Sequence, residues 1–324
     1  MKRDYRIDLL RVVAILAVLA IHCFGGKGTA TNYINGFSRF SVPVFVMISA
    51  ICCAPKLFSA TSLAAFYKPR FAHVGIPLLV FSILYAAEDL IAGCEWSYVA
   101  KNFILGKPSF HLWFGFMILG VYVFMPFLVQ LVVQINRFLL TCASCFVILM
   151  TWNVGYGLWS ILPFVAYAML ALVLLPILNG IVKKSLAIRV TVGVLCLLAY
   201  VTSSSIVGSL GTHKAYTYTS TYSLCGSIAV LVATFALCPQ NMSERSERII
   251  ATLSSCSFGV YLFHVIAIRG ILRILPVLAE AKLSSAAALW GAVVIVSFAT
   301  TFGASEIPVL RRIFGFKSSM EIEK

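Results

Sequence analysis

Repeated apolar runs of about twenty residues constrain this chain more than any other feature of its sequence. A helix of that length can cross the hydrocarbon core of a bilayer while satisfying all of its own backbone hydrogen bonds. The mean hydropathy of +0.98 and the 61% hydrophobic content leave too little polar surface to cover a water-soluble globule of 324 residues. The sequence therefore predicts an all-α, polytopic membrane protein that forms a single domain over residues 1–324.

The apolar runs predict ten transmembrane helices, of which the fifth is short. They cover residues 7–25, 37–54, 71–91, 111–134, 137–152, 160–180, 186–207, 221–239, 249–270 and 286–306. With a cytoplasmic amino terminus, 17 of the 25 lysines and arginines fall on the cytoplasmic side, so both termini are predicted to be cytoplasmic. The first run lacks a small-residue cleavage site and is expected to remain as a helix.

The positions of the charged residues and the cysteines argue against a nucleic-acid-binding protein and against a disulfide-stabilised protein. The net charge of +14 comes from short basic clusters between apolar runs, which indicates contact with the lipid bilayer and its anionic headgroups and no nucleic-acid partner. Most of the ten cysteines lie within apolar runs, where they behave as small hydrophobic residues. We therefore expect neither a disulfide framework nor a metal site.

The first apolar run carries an arginine and a histidine, two residues that are costly inside a membrane. Arg11 and His22 are eleven residues apart, which places them on one face of a helix and about 16 Å apart along its axis. Such groups usually face a bundle interior or an aqueous cavity. The structural alternative is an arginine that extends to the headgroups and a histidine hydrogen-bonded for packing. Either Asp8 or Glu306 is a candidate ion-pair partner for Arg11.

A second cationic group precedes the third predicted span. It contains Lys68, Arg70 and His73, of which the last two would be neighbours on a helix face. The group is suited to binding phosphates, although ordinary positive-inside charge explains it as well.

Several polar side chains are predicted near the opposite membrane surface. His22, His111 and His264 come from three different spans and reach a similar depth, together with Trp113. Glu88 and Asp89, at the end of the third span, could orient a histidine or simply be solvated. These residues are candidates for substrate binding, and an interfacial aromatic belt is the alternative for Trp113.

The spacing of the cation and the imidazole suggests a reaction. The phosphates of a long cytosolic donor such as acyl-coenzyme A would stay near Arg11, Lys68, Arg70 and His73 while its thioester reached His22. An imidazole there is suited to accept the proton of an attacking hydroxyl. Direct transfer and an acyl-histidine intermediate both remain open.

The sequence resembles the membrane-bound acyltransferase-3 family, which includes bacterial O-acetyltransferases of surface polysaccharides. The matching segments are RIDLLRVVAILAVLAIH, SRFSVPVFVMISA, FYKPRFAHVGIPLL, HLWFGFMILGVYVFMPFL and SFGVYLFHVIA. The resemblance implies catalytic roles for Arg11 and His22. It also implies an acyl-donor motif of two arginines before the third helix, of which this chain keeps the first as Arg70 and has His73 in the second position. No hydrolase-like domain of the kind that some members carry is expected here.

The resulting hypothesis is an O-acyltransferase of the bacterial inner membrane. It would move an acetyl group from cytosolic acetyl-CoA to a hydroxyl of an extracytoplasmic or lipid-linked glycan. A transporter or flippase of a lipid-linked saccharide is the alternative from another class, although the sequence shows no clear inverted repeat. A polytopic scaffold with hydrogen-bonded core histidines is the third.

Overall fold

The described part of the chain contains helices and no strand. The computed structural model describes residues 3–25, 28–151, 161–209, 217–239 and 241–316. Its α-helices are α1 Tyr5–Phe24, α2 Thr29–Phe37, α3 Ser41–Phe58, α4 Leu63–Arg70, α5 Ile76–Ile91, α6 Trp96–Ile104, α7 Trp113–Gln134, α8 Arg137–Met150, α9 Ile161–Val182, α10 Leu186–Ser209, α11 Thr221–Leu237, α12 Glu244–Ile274, α13 Leu283–Glu306 and α14 Pro308–Ile313. Two 3₁₀ segments, Ser38–Phe40 and Pro276–Ala279, and one π-helical turn, Phe71–Gly75, connect them.

The long apolar helices confirm the prediction of an all-α, polytopic membrane protein. In the described ranges, eight helices are long and apolar enough to span a bilayer. The fifth and eighth predicted spans correspond to the shorter apolar helices α8 and α11. The second span begins earlier than predicted, because α2, the 3₁₀ segment and α3 form a continuous apolar stretch, Thr29–Phe58.

Helix α1 lies at the centre of the bundle. It packs against α3, α12, α13 and α2, whereas α10 and α11 pack chiefly against each other. Of the apolar window in α1, 67% is buried, compared with 17% in α10. Large apolar side chains such as Ile83, Phe127, Phe146 and Ile295 remain exposed on the outer helices, as expected for a surface that faces lipid.

Two prolines account for the two interruptions of helical geometry that matter for the site. Proline lacks the N–H that would bond to the carbonyl four residues earlier, and its ring crowds that carbonyl. Pro43 frees the carbonyl of Arg39, within the 3₁₀ segment that separates α2 from α3. Pro77 frees the carbonyl of His73, within the π-helical turn before α5. Each interruption therefore falls at a cationic or titratable residue.

The predicted topology can be tested with one native cysteine. Cys94 is exposed in the turn between α5 and α6, which the topology places outside the cell. A membrane-impermeant maleimide should label it in intact cells, with the Cys94→Ser variant showing the background from other thiols. Labelling that requires permeabilised cells would reverse the predicted orientation.

Candidate functional site

A cavity of about 240 Å³ lies beside α1 and extends along it between Arg11 and His22. The two side chains share one face of α1, as their spacing predicts. The walls come from α3, the π-helical turn before α5, α7 with the turn before it, the turn before α11, α12 and the turn after α14. The lining residues are Arg11, Val18, His22, Val42, Phe45, Ser49, His73, Val74, His111, Trp113, Phe114, Ile118, Tyr122, Tyr218, Ser257, Phe258, Tyr261 and Gly315.

A buried carboxylate holds the cation at one end of this cavity. Asp8 is 2% exposed and lies 3.5 Å from Nη1 of Arg11, one helical turn away. It also accepts a hydrogen bond from the Ser254 hydroxyl at 2.7 Å and pairs with Arg3 at 2.5 Å. Nη2 of Arg11 lies 3.2 Å from Sγ of Cys52 on α3. The arginine is thus held between three helices, α1, α3 and α12.

The alternative prediction, an ion pair between Arg11 and Glu306, is wrong. Glu306 is exposed at the end of α13, and its carboxylate accepts only a 3.4 Å contact from the adjacent Ser305 among the interactions described for it. Asp8 is on the same helix as Arg11 and three residues away, so local geometry decides the pairing.

The three residues of the second cationic group do not lie at one site in the structure. His73 lines the cavity, but Arg70 does not; its guanidinium carbon lies 3.6 Å from the centroid of the Phe66 ring and its Nε lies 3.4 Å from Sγ of Cys53. Lys68 is exposed in the last turn of α4. The predicted face shared by Arg70 and His73 assumed α-helical geometry, which the π-helical turn Phe71–Gly75 replaces.

The carboxyl-terminal turn closes the chain onto His73. Gly315 lines the cavity and has φ +78°, a left-handed conformation that other residues rarely adopt. A Cβ atom on it would lie 2.9 Å from the His73 carbonyl oxygen and 2.7 Å from the Phe258 ring. This turn therefore fixes the backbone at the Arg11 end of the cavity and leaves no room for a side chain.

Three histidines meet at the opposite end. The rings of His22 and His264 are 5.0 Å apart between centroids, and those of His264 and His111 are 4.9 Å apart. His22 and His111 line the cavity, whereas His264 is fully buried behind them. The expected convergence in depth is observed, but His264 does not reach the cavity.

The hydrogen bonds of His264 determine its tautomer. Its Nδ1 lies 2.7 Å from the Tyr261 carbonyl oxygen, which can only accept, so Nδ1 carries the proton. Nε2 is left as a buried acceptor with no hydrogen-bond partner among the described residues. Nδ1 of His111 lies 3.1 Å from the Ser109 hydroxyl, which can donate or accept, so this contact does not fix the tautomer of His111. Nε2 of His264, beside His22, is therefore available to a proton donor.

Two tyrosines fix the segment that carries His111. The Tyr261 hydroxyl donates to the His111 carbonyl oxygen at 3.0 Å and accepts from the Gly115 amide at 3.2 Å. The Tyr85 hydroxyl donates to the Leu262 carbonyl oxygen at 2.9 Å, and its ring meets that of His111 edge-on at 4.9 Å. Neither tyrosine was a candidate from the sequence, although Tyr261 precedes His264 by one helical turn.

The predicted acidic candidates lie elsewhere. Glu88 pairs with Arg269 at 2.7 Å and Asp89 lies 3.6 Å from the same guanidinium. Arg273 adds a contact of 3.6 Å to Glu88. The two carboxylates therefore join α5 to α12, and neither of them lines the cavity or contacts a histidine through the interactions described.

The other lining residues are mostly aromatic. Trp113 and Tyr218 lie 5.7 Å apart between ring centroids, and Phe114 lies 5.4 Å from Tyr261. In the part of the chain that the structure describes, no three histidine, cysteine, aspartate or glutamate side chains are arranged to hold a metal ion. The cavity therefore offers imidazoles, a guanidinium and aromatic surface for chemistry or binding.

The role of Asp8 can be tested by an isosteric change. Asp8→Asn removes the charge that fixes Arg11 and leaves the size of the side chain unchanged. We expect at least a tenfold fall in any activity that depends on Arg11, together with a lower unfolding temperature in detergent. Glu244→Gln is the matched control, because its pair with Arg248 is fully on the surface. Equal behaviour of the two variants would contradict the argument.

The close packing of Gly315 against the His73 backbone gives a second testable prediction. Gly315→Ala should displace the His73 backbone and weaken binding of a ligand at that end of the cavity, as measured by a titration in detergent or nanodiscs. Gly303→Ala is the control, since nothing lies within 4 Å of a Cβ at that helical position. Unchanged affinity in the Gly315 variant would show that the turn is not part of the site.

Comparison with known protein families identifies the family of the chain. The model of a family described as an acyltransferase domain, the acyltransferase-3 domain, matches residues 4–305. No curated protein and no solved structure matches the chain.

Proposed function

The chain belongs to the acyltransferase-3 family and is a multi-pass membrane acyltransferase, and from this premise we propose that it is an O-acetyltransferase of the bacterial inner membrane. Its donor is cytosolic acetyl-CoA, and its acceptor is a hydroxyl of an extracytoplasmic or lipid-linked glycan. The observation that carries the proposal is the single cavity that extends between Arg11 and His22.

The donor enters at the end that Arg11 and His73 line. A guanidinium binds phosphate oxygens through paired N–H groups, and Asp8 keeps this one oriented. The separation of about 16 Å along α1 suits a donor whose charged head stays at the cytoplasmic surface while its extended arm passes inward. Lys68 and Arg70 contribute positive charge nearby without lining the cavity.

The chemistry takes place at His22. Its imidazole accepts the proton of the acceptor hydroxyl while the oxygen attacks the thioester carbonyl carbon. The C–S bond then breaks, the acetyl group stays on the acceptor oxygen, and the thiolate leaves and is protonated. His264, hydrogen-bonded through Nδ1 and packed against the His22 ring, limits the orientations that the catalytic imidazole adopts.

The decisive variant is His22→Ala. Loss of a general base typically lowers the rate by about 10²–10⁴, so transfer of labelled acetyl groups from acetyl-CoA to glycan should fall at least 100-fold. The variant should still insert and elute as the wild type on size exclusion. Free imidazole, which the vacated space can admit, should restore part of the activity.

The same assay separates an acyltransferase from a saccharide carrier. A carrier moves its substrate without covalent change, so the wild-type protein would leave the labelled acetyl group on coenzyme A. Acetylated glycan at the wild-type level in the His22 variant would remove His22 from the mechanism.

A further inference from the structure

An arginine that the donor site does not use lies at the His22 end of the bundle. Arg39 belongs to the 3₁₀ segment between α2 and α3, where Pro43 interrupts regular helix geometry. Its side chain is partly buried. Arginine in this position is costly in a membrane protein unless it has a partner or a function.

Hydrogen bonds fix the Arg39 side chain relative to α1, the helix that carries His22. Its Nε and Nη2 donate to Oδ1 of Asn35 at 3.1 and 2.8 Å. The amide nitrogen of Asn35 donates in turn to the carbonyl oxygen of Ile21 at 2.5 Å. Ile21 directly precedes His22, so a chain of three hydrogen bonds fixes the guanidinium relative to the reacting imidazole.

Arg39 also lies against the cavity wall. Its guanidinium carbon is 5.3 Å from the centroid of the Tyr218 ring, and Tyr218 lines the cavity beside Trp113. The hydroxyl of Tyr167 donates to the Tyr218 carbonyl oxygen at 2.8 Å and holds that residue in place. The guanidinium is close enough to His22 for an electrostatic interaction. It therefore lies next to the cavity at the His22 end, in contact with the lining residue Tyr218 but outside the lining itself.

The charge of Arg39 is not compensated by the protein. Its hydrogen-bond acceptor, Asn35, is neutral, and no carboxylate of the described residues pairs with it. Glu88 and Asp89, the acidic groups predicted near the same membrane surface, are engaged by Arg269. Asn35 occupies one side of the planar guanidinium and leaves Nη1 without a contact among those described.

We propose that Arg39 binds an anionic group of the acceptor, a carboxylate or a phosphate. The acceptor would then be an acidic glycan or a saccharide joined to its carrier through phosphate, with a sugar ring against Tyr218 and Trp113 and its hydroxyl at His22. A guanidinium suits both anions, because its N–H groups match two oxygens of either. This inference rests on the proposed function and names its acceptor class.

The test compares Arg39→Gln, Arg39→Lys and Arg245→Gln in cells that produce each protein. Arg245 is an exposed arginine at the start of α12 and serves as the matched control. Mass spectrometry of surface glycans and lipid-linked saccharides identifies the acetylated species that disappear with His22→Ala. We expect each of these to carry a carboxylate or a phosphate, and the fraction in which they appear tells the two sources apart.

Arg39→Gln should lower these products at least tenfold, Arg39→Lys should retain part of them, and Arg245→Gln should leave them unchanged. The affinity of purified Arg39→Gln for acetyl-CoA should equal that of the wild type, which a folding defect would not allow. Neutral acetylated species that depend on His22, wild-type product levels in Arg39→Gln, or an equal loss of acetyl-CoA binding would each overturn the inference. If no acetylated species depends on His22, the proposed function itself fails.

Discussion

The cost of placing a guanidinium and an imidazole in one membrane-spanning helix governs this structure. Neither group can face lipid, so α1 must be surrounded by other helices and must border a cavity. Both conditions are met, since α1 packs against α3, α12 and α13 and its polar face lines the space between Arg11 and His22. The more peripheral helices, such as α10, have no such polar pair and present apolar side chains to the bilayer.

The two ends of the cavity carry different chemical groups. At one end Asp8, which also pairs with Arg3, orients Arg11, and the π-helical turn and Gly315 position His73. At the other end three imidazoles lie together behind aromatic walls, with Tyr261 joining the His111 segment to α12. A donor that is anionic at its head and reactive at its tip fits that polarity. Under the proposed function, this polarity is the reason that one helix carries both Arg11 and His22.

The periodicity of the sequence predicted the features that depend on a single helix. It did not predict the contacts that form between neighbouring helices. The common face of Arg11 and His22 follows from residue spacing alone, and so does the depth of His264. The division of Arg70 from His73 could not be foreseen, because it requires the π-helical turn that Pro77 accompanies. The pairing of Glu88 with Arg269 joins residues 181 positions apart, and no local pattern reveals it. Tyr261 shows the same limit, since its role arises from contact with α7 and the loop before it.

Arg11 and Arg39, at the two ends of the cavity, also affect which ions can enter it. A space that reaches from one side of a membrane toward the other is a potential leak for protons and metal ions. Fixed positive charge in a narrow passage raises the energy of any cation that enters it, as it does in selective channels. With Arg11 at one end and Arg39 at the other, both near the cavity, such ions meet a barrier from either direction. The same side chains attract anions, so the cavity favours an anionic ligand while it repels cations.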